Sequence, residues 1–238
     1  MNDGEIRSLG HDILWCDATD PSHERIVGRT RFLDHLWLPS TLTELTPEQI
    51  LIINRYRESV IEAVGPYDNV RRAHDMLVEA LRGAQASAIL EVGCGKFPIL
   101  ARCERYLGID IDPEAVAFVQ SQGKSACGPE ELLANAALPF DCIVSAYVMH
   151  FEISEEFLAD LDTVASADAI FCFNLIAEES LSTINILSRL CRSWPLINII
   201  KTSGMARREF FFVAGRSAAS PRVMAAVRAI KQCDPILE

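Results

Sequence analysis

The chain has 238 residues, and none of its apolar runs reaches the ~18 residues that a bilayer span needs. It has no basic run either: 22 Lys and Arg face 33 Asp and Glu, for a net charge of −11. Polyanion binding needs a clustered basic footprint. The doublets Arg71-Arg72 and Arg207-Arg208 read instead as solvated faces, which argues against DNA or RNA as substrate. The opening stretch MNDGEIRSLGHDILWCD lacks a basic segment followed by an apolar core, so no secretory signal is expected. There is no C-x-x-C pair among the eight cysteines. Cys94, Cys142 and Cys172 lie in or beside apolar runs, where a thiol packs as a small hydrophobe. Free thiols in a reducing, cytoplasmic setting are expected. What is present is apolar residues, at 50%, enough to bury a sizeable core.

Residues 1–45 show little periodicity and are expected to be irregular. His11, Cys16, Asp17, His23 and His35 fall here, but their spacing fits no standard ligand pattern, and no metal is expected. A helix starts at Thr46-Pro47-Glu48-Gln49. Thr caps, Pro takes the first helical position, and Gln three residues on reaches back to the cap. Ile50, Ile53, Tyr56, Val60 and Ile61 form its apolar stripe, and Gly65-Pro66 breaks it. A second helix is expected from about Tyr67 to Arg82, with Val70, Met76, Leu77, Ala80 and Leu81 inward and Gly83 closing it.

From residue 87 short apolar runs alternate with helical stretches. Strands are expected over 87–92, 105–110, 124–128, 140–151 and 167–176, and helices over 113–123 and 177–193, the latter with Leu181, Ile184, Leu187 and Leu190 on one face. Such alternation implies a parallel sheet covered on both faces. The β-rich runs 196–202 and 209–214, around Ser203-Gly204, predict an antiparallel pair that makes the sheet mixed. The expected organisation is α/β: a lid over residues 1–85 and a doubly wound domain over 86–238.

The stretch ILEVGCGKFPILARCERYLGIDIDPEAV, residues 89–116, carries the chemistry. In doubly wound sheets ligands bind outside the carboxyl ends of the strands, where strand order reverses. Gly93 and Gly95 let a ligand approach the backbone closely. Asp110 ends the second strand, and a carboxylate there can accept from two adjacent ribose hydroxyls. A dinucleotide fingerprint would need a third glycine for the pyrophosphate, and G-C-G-K-F-P has none. Glu91, before the turn, suits an amino group better than a phosphate. A ligand with a ribose, a cationic amine and no phosphate is required, and S-adenosylmethionine fits.

Residues 89–152 resemble the core of the class I S-adenosylmethionine-dependent methyltransferases. Ile89-Leu90-Glu91-Val92-Gly93-Cys94-Gly95 is similar to the family's first motif and Gly108-Ile109-Asp110-Ile111-Asp112-Pro113 to its second. Residues 140–150 are similar to its fourth strand and exit, and residues 208–214 to its last, antiparallel strand. The resemblance covers about residues 86–216. It implies a Rossmann-like, seven-stranded mixed sheet, mostly parallel with a C-terminal antiparallel strand, preceded by an N-terminal helical lid. It also implies cofactor contacts from Glu91, Gly93, Cys94, Gly95, Asp110, Ile111, Glu130 and Ala146. Phe97 stands where the family usually has a further glycine, and the helix after the first strand must be short. Glu130 is either an adenine contact or an exposed helix-cap acid, Asp112 reads as a cap before Pro113, and Glu91 would meet the amino group directly or through water.

Two catalytic candidates lie at the exit of the fourth strand. His150 is either a general base or a packed residue ordering the loop. Tyr147 either places its ring on the sulfonium or packs on the sheet. Tyr56 and Trp37 serve equally as lid contacts or core. The leading expectation is methyl transfer to an O, N or C nucleophile of a small molecule, by an enzyme that excludes water under its lid. The G-C-G-K-F-P turn is also similar to that of the nicotianamine synthases, which implies an alternative: transfer or cyclisation of the aminocarboxypropyl arm, releasing methylthioadenosine. A non-catalytic binding protein and a nicotinamide dehydrogenase are the remaining readings. A homodimer is compatible with the sequence; no membrane or nucleic-acid partner is expected.

Overall fold

The computed structural model describes residues 6–16, 26–32, 36–65, 68–99, 102–137, 139–151, 153–176, 183–201, 209–217 and 220–233. Asp17, His23, His35, Pro66, Tyr67, Leu181, the Ser203-Gly204 turn and Arg207-Arg208 lie outside the described residues.

The segment expected to be irregular contains a small antiparallel sheet. Its strands are β1 (Arg7–Gly10), β2 (Ile13–Trp15), β3 (Arg29–Phe32) and β4 (Leu36–Pro39), in the order β1-β2-β4-β3. Each has three or four residues, too few for an alternating pattern to stand out in sequence. Burial holds it together: Ile13, Phe32, Leu36 and Leu38 are buried in the main core. The N-terminal part is therefore a sheet followed by the two expected helices, with the sheet standing where irregular chain was expected.

Helix α1 (Pro47–Val64) starts with the expected capping box. Gln49 N–H donates to Thr46 Oγ1 at 3.3 Å, and Thr46 N–H donates to Gln49 Oε1 at 3.0 Å. Gln49 Nε2 also donates to the His11 carbonyl at 3.0 Å, tying α1 to the β1–β2 turn. Helix α2 (Asp68–Gly83) buries Met76, Leu77, Ala80 and Leu81 of the expected stripe, with Val70 half-buried against the core, and buries Ala73 as well.

The second sheet is built from β5 (Ala88–Val92), β6 (Arg105–Ile109), β7 (Ala126–Cys127), β8 (Phe140–Ser145), β9 (Ala165–Ile176), β10 (Leu196–Lys201) and β11 (Glu209–Gly215). Helices α3 (Pro113–Ser121), α4 (Leu132–Asn135), α5 (Glu155–Val164), α6 (Thr183–Ser193) and α7 (Pro221–Gln232) complete the order. The strands run β10-β11-β9-β8-β5-β6-β7, with β11 antiparallel to both neighbours and the β5, β6, β7, β8 and β9 pairs parallel. The sheet is seven-stranded and mixed, as expected. Strand order reverses at β5, whose neighbours β6 and β8 lead off in opposite directions, so the strand exits part there. The described residues between β5 and β6 carry no helix; the short helix expected there is replaced by an extended turn.

Alternation along each strand sends successive residues to opposite faces. Ile89, Cys142, Val144, Ile170, Cys172, Phe211 and Val213 meet α2 and α7. Leu90, Ile143, Phe171, Phe173 and Phe212 meet α5 and α6. The first of these clusters also takes in Ile13, Trp15, Phe32, Leu36 and Ile53. The segment before residue 86 thus shares one core with the sheet. Trp37 is buried, and the Tyr56 ring lies 5.8 Å from that of Trp15.

Candidate active site

The turn after β5 is the centre of the site. Gly93 has φ +72° and Gly95 φ +52°, angles that residues with a Cβ adopt at a cost. A Cβ on Gly93 would lie 2.0 Å from Val148 Cγ2, so the backbone there is also in contact with the exit of β8. Gly93 and Cys94 donate to the Ile109 carbonyl at 2.7 and 3.1 Å, which pulls the turn over the end of β6.

Asp110 stands at that end, 7% exposed. Its Oδ2 accepts from Gly95 N–H at 2.8 Å and its Oδ1 from Asp112 N–H at 2.8 Å. Each carboxylate oxygen has a second lone pair, and Asp110 borders two cavities. Burial, above all, pushes its carboxyl up from the ordinary value, against the hydrogen bonds that hold it down. Asp112 caps α3, accepting Glu114 N–H at 2.9 Å, as its place before Pro113 predicts. It also takes a bidentate pair from Arg55 of α1, at 2.8 and 2.9 Å. The Arg55 guanidinium holds the Asp112 carboxyl below its usual range. This link was hidden in the sequence, since nothing in the α1 stripe marks Arg55 as facing inward.

The larger cavity beside Asp110, about 300 Å³, is bounded by Ile50, Ile111, Pro129, Phe151 and Phe157. The smaller, about 100 Å³, is bounded by Arg57, Glu58, Gly95, Ala146 and Tyr147. Both share Asn54, Gly93, Asp110 and Val148, so they are two ends of one crevice. A third, about 580 Å³, shares Ile61, Val70, His74 and Phe97 with the smaller and extends to Phe118 and Lys124.

Of the sequence candidates, Gly93, Cys94, Gly95, Asp110, Ile111, Ala146 and Tyr147 come together around this crevice. Glu130 does not line it: it is exposed on the 3₁₀ turn Pro129–Glu131, with its carboxylate against Gly128. Glu91, 2% exposed, turns away from the crevice. Its oxygens accept Ile99 N–H at 2.8 and 2.9 Å, and Oε2 accepts the Tyr106 hydroxyl at 2.7 Å. Burial pushes its carboxyl up to about 8. Where the structure puts it, Glu91 fastens the turn from beneath.

Tyr147 has φ +59°, a strained angle for a bulky residue, of the kind that collects at functional sites. Its N–H donates to Asn174 Oδ1 at 2.8 Å, and Asn174 Nδ2 donates to Glu209 at 2.6 Å. Burial and the Glu209 carboxylate push the Tyr147 phenol upward. The Arg57 guanidinium lies 5.5 Å from the ring centroid, so a cation already covers the ring. His150 stacks on Tyr147 at 6.1 Å, 1% exposed. Burial, with Arg57 adding to it, holds the imidazole down at about 3, so it is neutral at pH 7. It lines neither end of the crevice. Among the described residues no group of three His, Cys, Asp or Glu could hold a metal, and no helix is long and apolar enough to cross a membrane.

A seven-stranded, mostly parallel sheet with one strand inserted antiparallel beside its end is a fold shared with solved S-adenosylmethionine-dependent methyltransferases. The amino pentose methyltransferase CalS10 of Micromonospora echinaspora, solved with the cofactor bound, is similar with a TM-score of 0.53 and 12% identity, over 68% of this chain and 97% of its own. A methyltransferase from Clostridium acetobutylicum is similar with a TM-score of 0.50 and 11% identity, over 68% and 98%. The plantazolicin methyltransferase BpumL, solved with S-adenosylhomocysteine and a pentazolic desmethylPZN analogue, gives a TM-score of 0.50 and 14% identity, over 75% and 83%. No family model matches the chain, and no curated protein matches it significantly.

Proposed function

We propose that this protein is an S-adenosylmethionine-dependent methyltransferase acting on an O, N or C nucleophile of a small molecule. The observation that carries the reading is Asp110. Its buried carboxylate is gripped by two backbone N–H groups and still borders both ends of the crevice at the strand-order reversal. The residues present fit the cofactor. The 300 Å³ end, walled by Ile111, Phe151 and Phe157, suits a flat base, with Asp110 beside it for the ribose hydroxyls. Burial, above all, pushes the Cys94 thiol up, and the Asp110 and Glu58 carboxylates add a negative field to it. Such a field suits a ligand with a sulfonium and an ammonium.

Bound there, the cofactor supplies an electrophilic methyl group. The chain's own residues then bind, orient and exclude water. Asp110 and the Gly93–Gly95 turn fix the ligand's middle. Asn54 and Ile50, from α1, roof the crevice. The Arg55–Asp112 pair holds that roof in register. Tyr147 is a wall whose angle is set by Asn174 and Glu209. With His150 buried and neutral, an acceptor that must lose a proton gives it to water or to another group. The adjoining 580 Å³ space is of a size for a small acceptor. The amino pentose methyltransferase CalS10 and the plantazolicin methyltransferase BpumL, the latter in complex with a pentazolic desmethylPZN analogue, support that class.

The test is titration calorimetry with S-adenosylmethionine and S-adenosylhomocysteine, on wild type and Asp110→Asn, followed by mass spectrometry of the nucleoside products formed from the cofactor alone. Micromolar binding that weakens at least tenfold in the variant is expected, with no turnover until an acceptor is added. Rapid, enzyme-dependent release of methylthioadenosine would replace methyl transfer by chemistry on the aminocarboxypropyl arm.

A further inference from the structure

The crevice has a carboxylate that sequence motifs do not mark. Glu58 lies on α1 one turn beyond Arg55, so the two share a face, and it borders the 100 Å³ end beside Gly95 and Asp110. Its Oε1 accepts Lys96 N–H at 2.9 Å and would lie 2.9 Å from a Cβ on Gly95. The carboxylate therefore presses on the glycine turn itself. Its Oε2 is buried and has no hydrogen-bond partner among the described residues, the Lys96 ammonium being 4.0 Å away. A buried carboxylate oxygen without a donor carries an uncompensated desolvation cost. A cationic N–H donor placed in the cavity would offset it. Glu91, by contrast, has both oxygens committed to Ile99 and Tyr106 beneath the turn.

We infer that Glu58 receives the α-ammonium group of the cofactor's methionine arm, taking the place that the motif acid Glu91 cannot reach. The inference rests on the cofactor reading above. Glu58 is a positioning residue: it fixes the amino-acid end of the ligand, while Asp110 fixes the ribose.

The experiment is titration calorimetry of the full chain with S-adenosylmethionine, with S-adenosylhomocysteine and with 5′-methylthioadenosine, which has the nucleoside and sulfur but no amino acid. Glu58→Gln keeps an oxygen for Lys96 N–H and removes the charge. Loss of one charge-assisted hydrogen bond weakens S-adenosylhomocysteine about ten- to hundredfold, while methylthioadenosine binds the variant as it binds wild type. Equal S-adenosylhomocysteine affinity in both proteins overturns the inference. So does an equal loss for both ligands, which would mean that the substitution merely disturbs the turn. A loss confined to S-adenosylmethionine would put Glu58 at the sulfonium and overturn it too. If wild type binds none of these ligands, the cofactor reading itself falls, and that failure is distinct from the others.

Discussion

Gly93→Ala probes the turn directly. Two costs are expected and can be separated. The first is backbone strain: at φ +72° a Cβ costs about 1–2 kcal/mol. The second is overlap: the new methyl carbon would stand 2.0 Å from Val148 Cγ2, and relieving such a contact in a packed site costs about 1–3 kcal/mol. The sum is about 2–5 kcal/mol. For a chain of this size each kcal/mol lowers the melting temperature by about 2–4 °C. Gly123→Ala is the control, because Gly123 has φ +73° but open space where its Cβ would go. It should cost the strain alone. The assay is urea unfolding of wild type and both variants, followed by circular dichroism. The expected result is a Gly93→Ala variant about 1–3 kcal/mol less stable than Gly123→Ala, with cofactor binding lost only in the former. Equal stabilities would refute the claim that Gly93 is held by the exit of β8.

Three further outcomes are expected. Burial holds the Glu91 carboxyl at about 8 in the folded chain, against an ordinary value of 4.5. Between those values the folded state binds the extra proton, so the Glu91 contribution to stability falls as pH rises through that window; urea unfolding at pH 6.5, 7 and 8, above the range in which His150 contributes, should show this slope in wild type and a flatter one in Glu91→Gln. The His150 imidazole is held down at about 3, so its ring should show no NMR titration between pH 5 and 8. It favours the native state only while neutral, so wild type should lose stability relative to His150→Asn as pH drops below about 6.5. A limb near pH 6.5 in the rate profile that vanishes in His150→Asn would contradict this. Asn174→Ala leaves the Tyr147 N–H and the Glu209 carboxylate each short of a buried partner. At about 1–3 kcal/mol per group, a loss of about 2–6 kcal/mol in thermal or urea unfolding is expected, and an unchanged melting curve would refute the network.

The sheet was legible because all its strands but β7 run to five residues or more and its helices carry their own punctuation. The Thr46 to Gln49 box and Asp112 before Pro113 predict helix starts that the structure contains. Asp110 and the two glycines were legible as a group because their chemistry depends on type and spacing. Strands β1–β4 were not, since three or four residues give no period and their pairing is set by packing on the distant core. Glu91 shows the other limit. Its position before the turn is plain in sequence, but the direction of its side chain depends on Ile99 and Tyr106, which only the fold brings beneath it. Arg55 and Glu58 were invisible for the same reason: a helix face gives no sign of which charged residues look inward.

The shared core has a consequence for how the molecule unfolds. Ile13, Phe32 and Ile53 are in one cluster with Cys142, Ile170 and Phe211. Removing the first 85 residues would strip α2 and the small sheet from that face and leave α7 alone to cover it, so the part from residue 86 onward should be poorly stable by itself. Roof and floor of the crevice should melt in a single cooperative transition, and a ligand bound between them stabilises both at once.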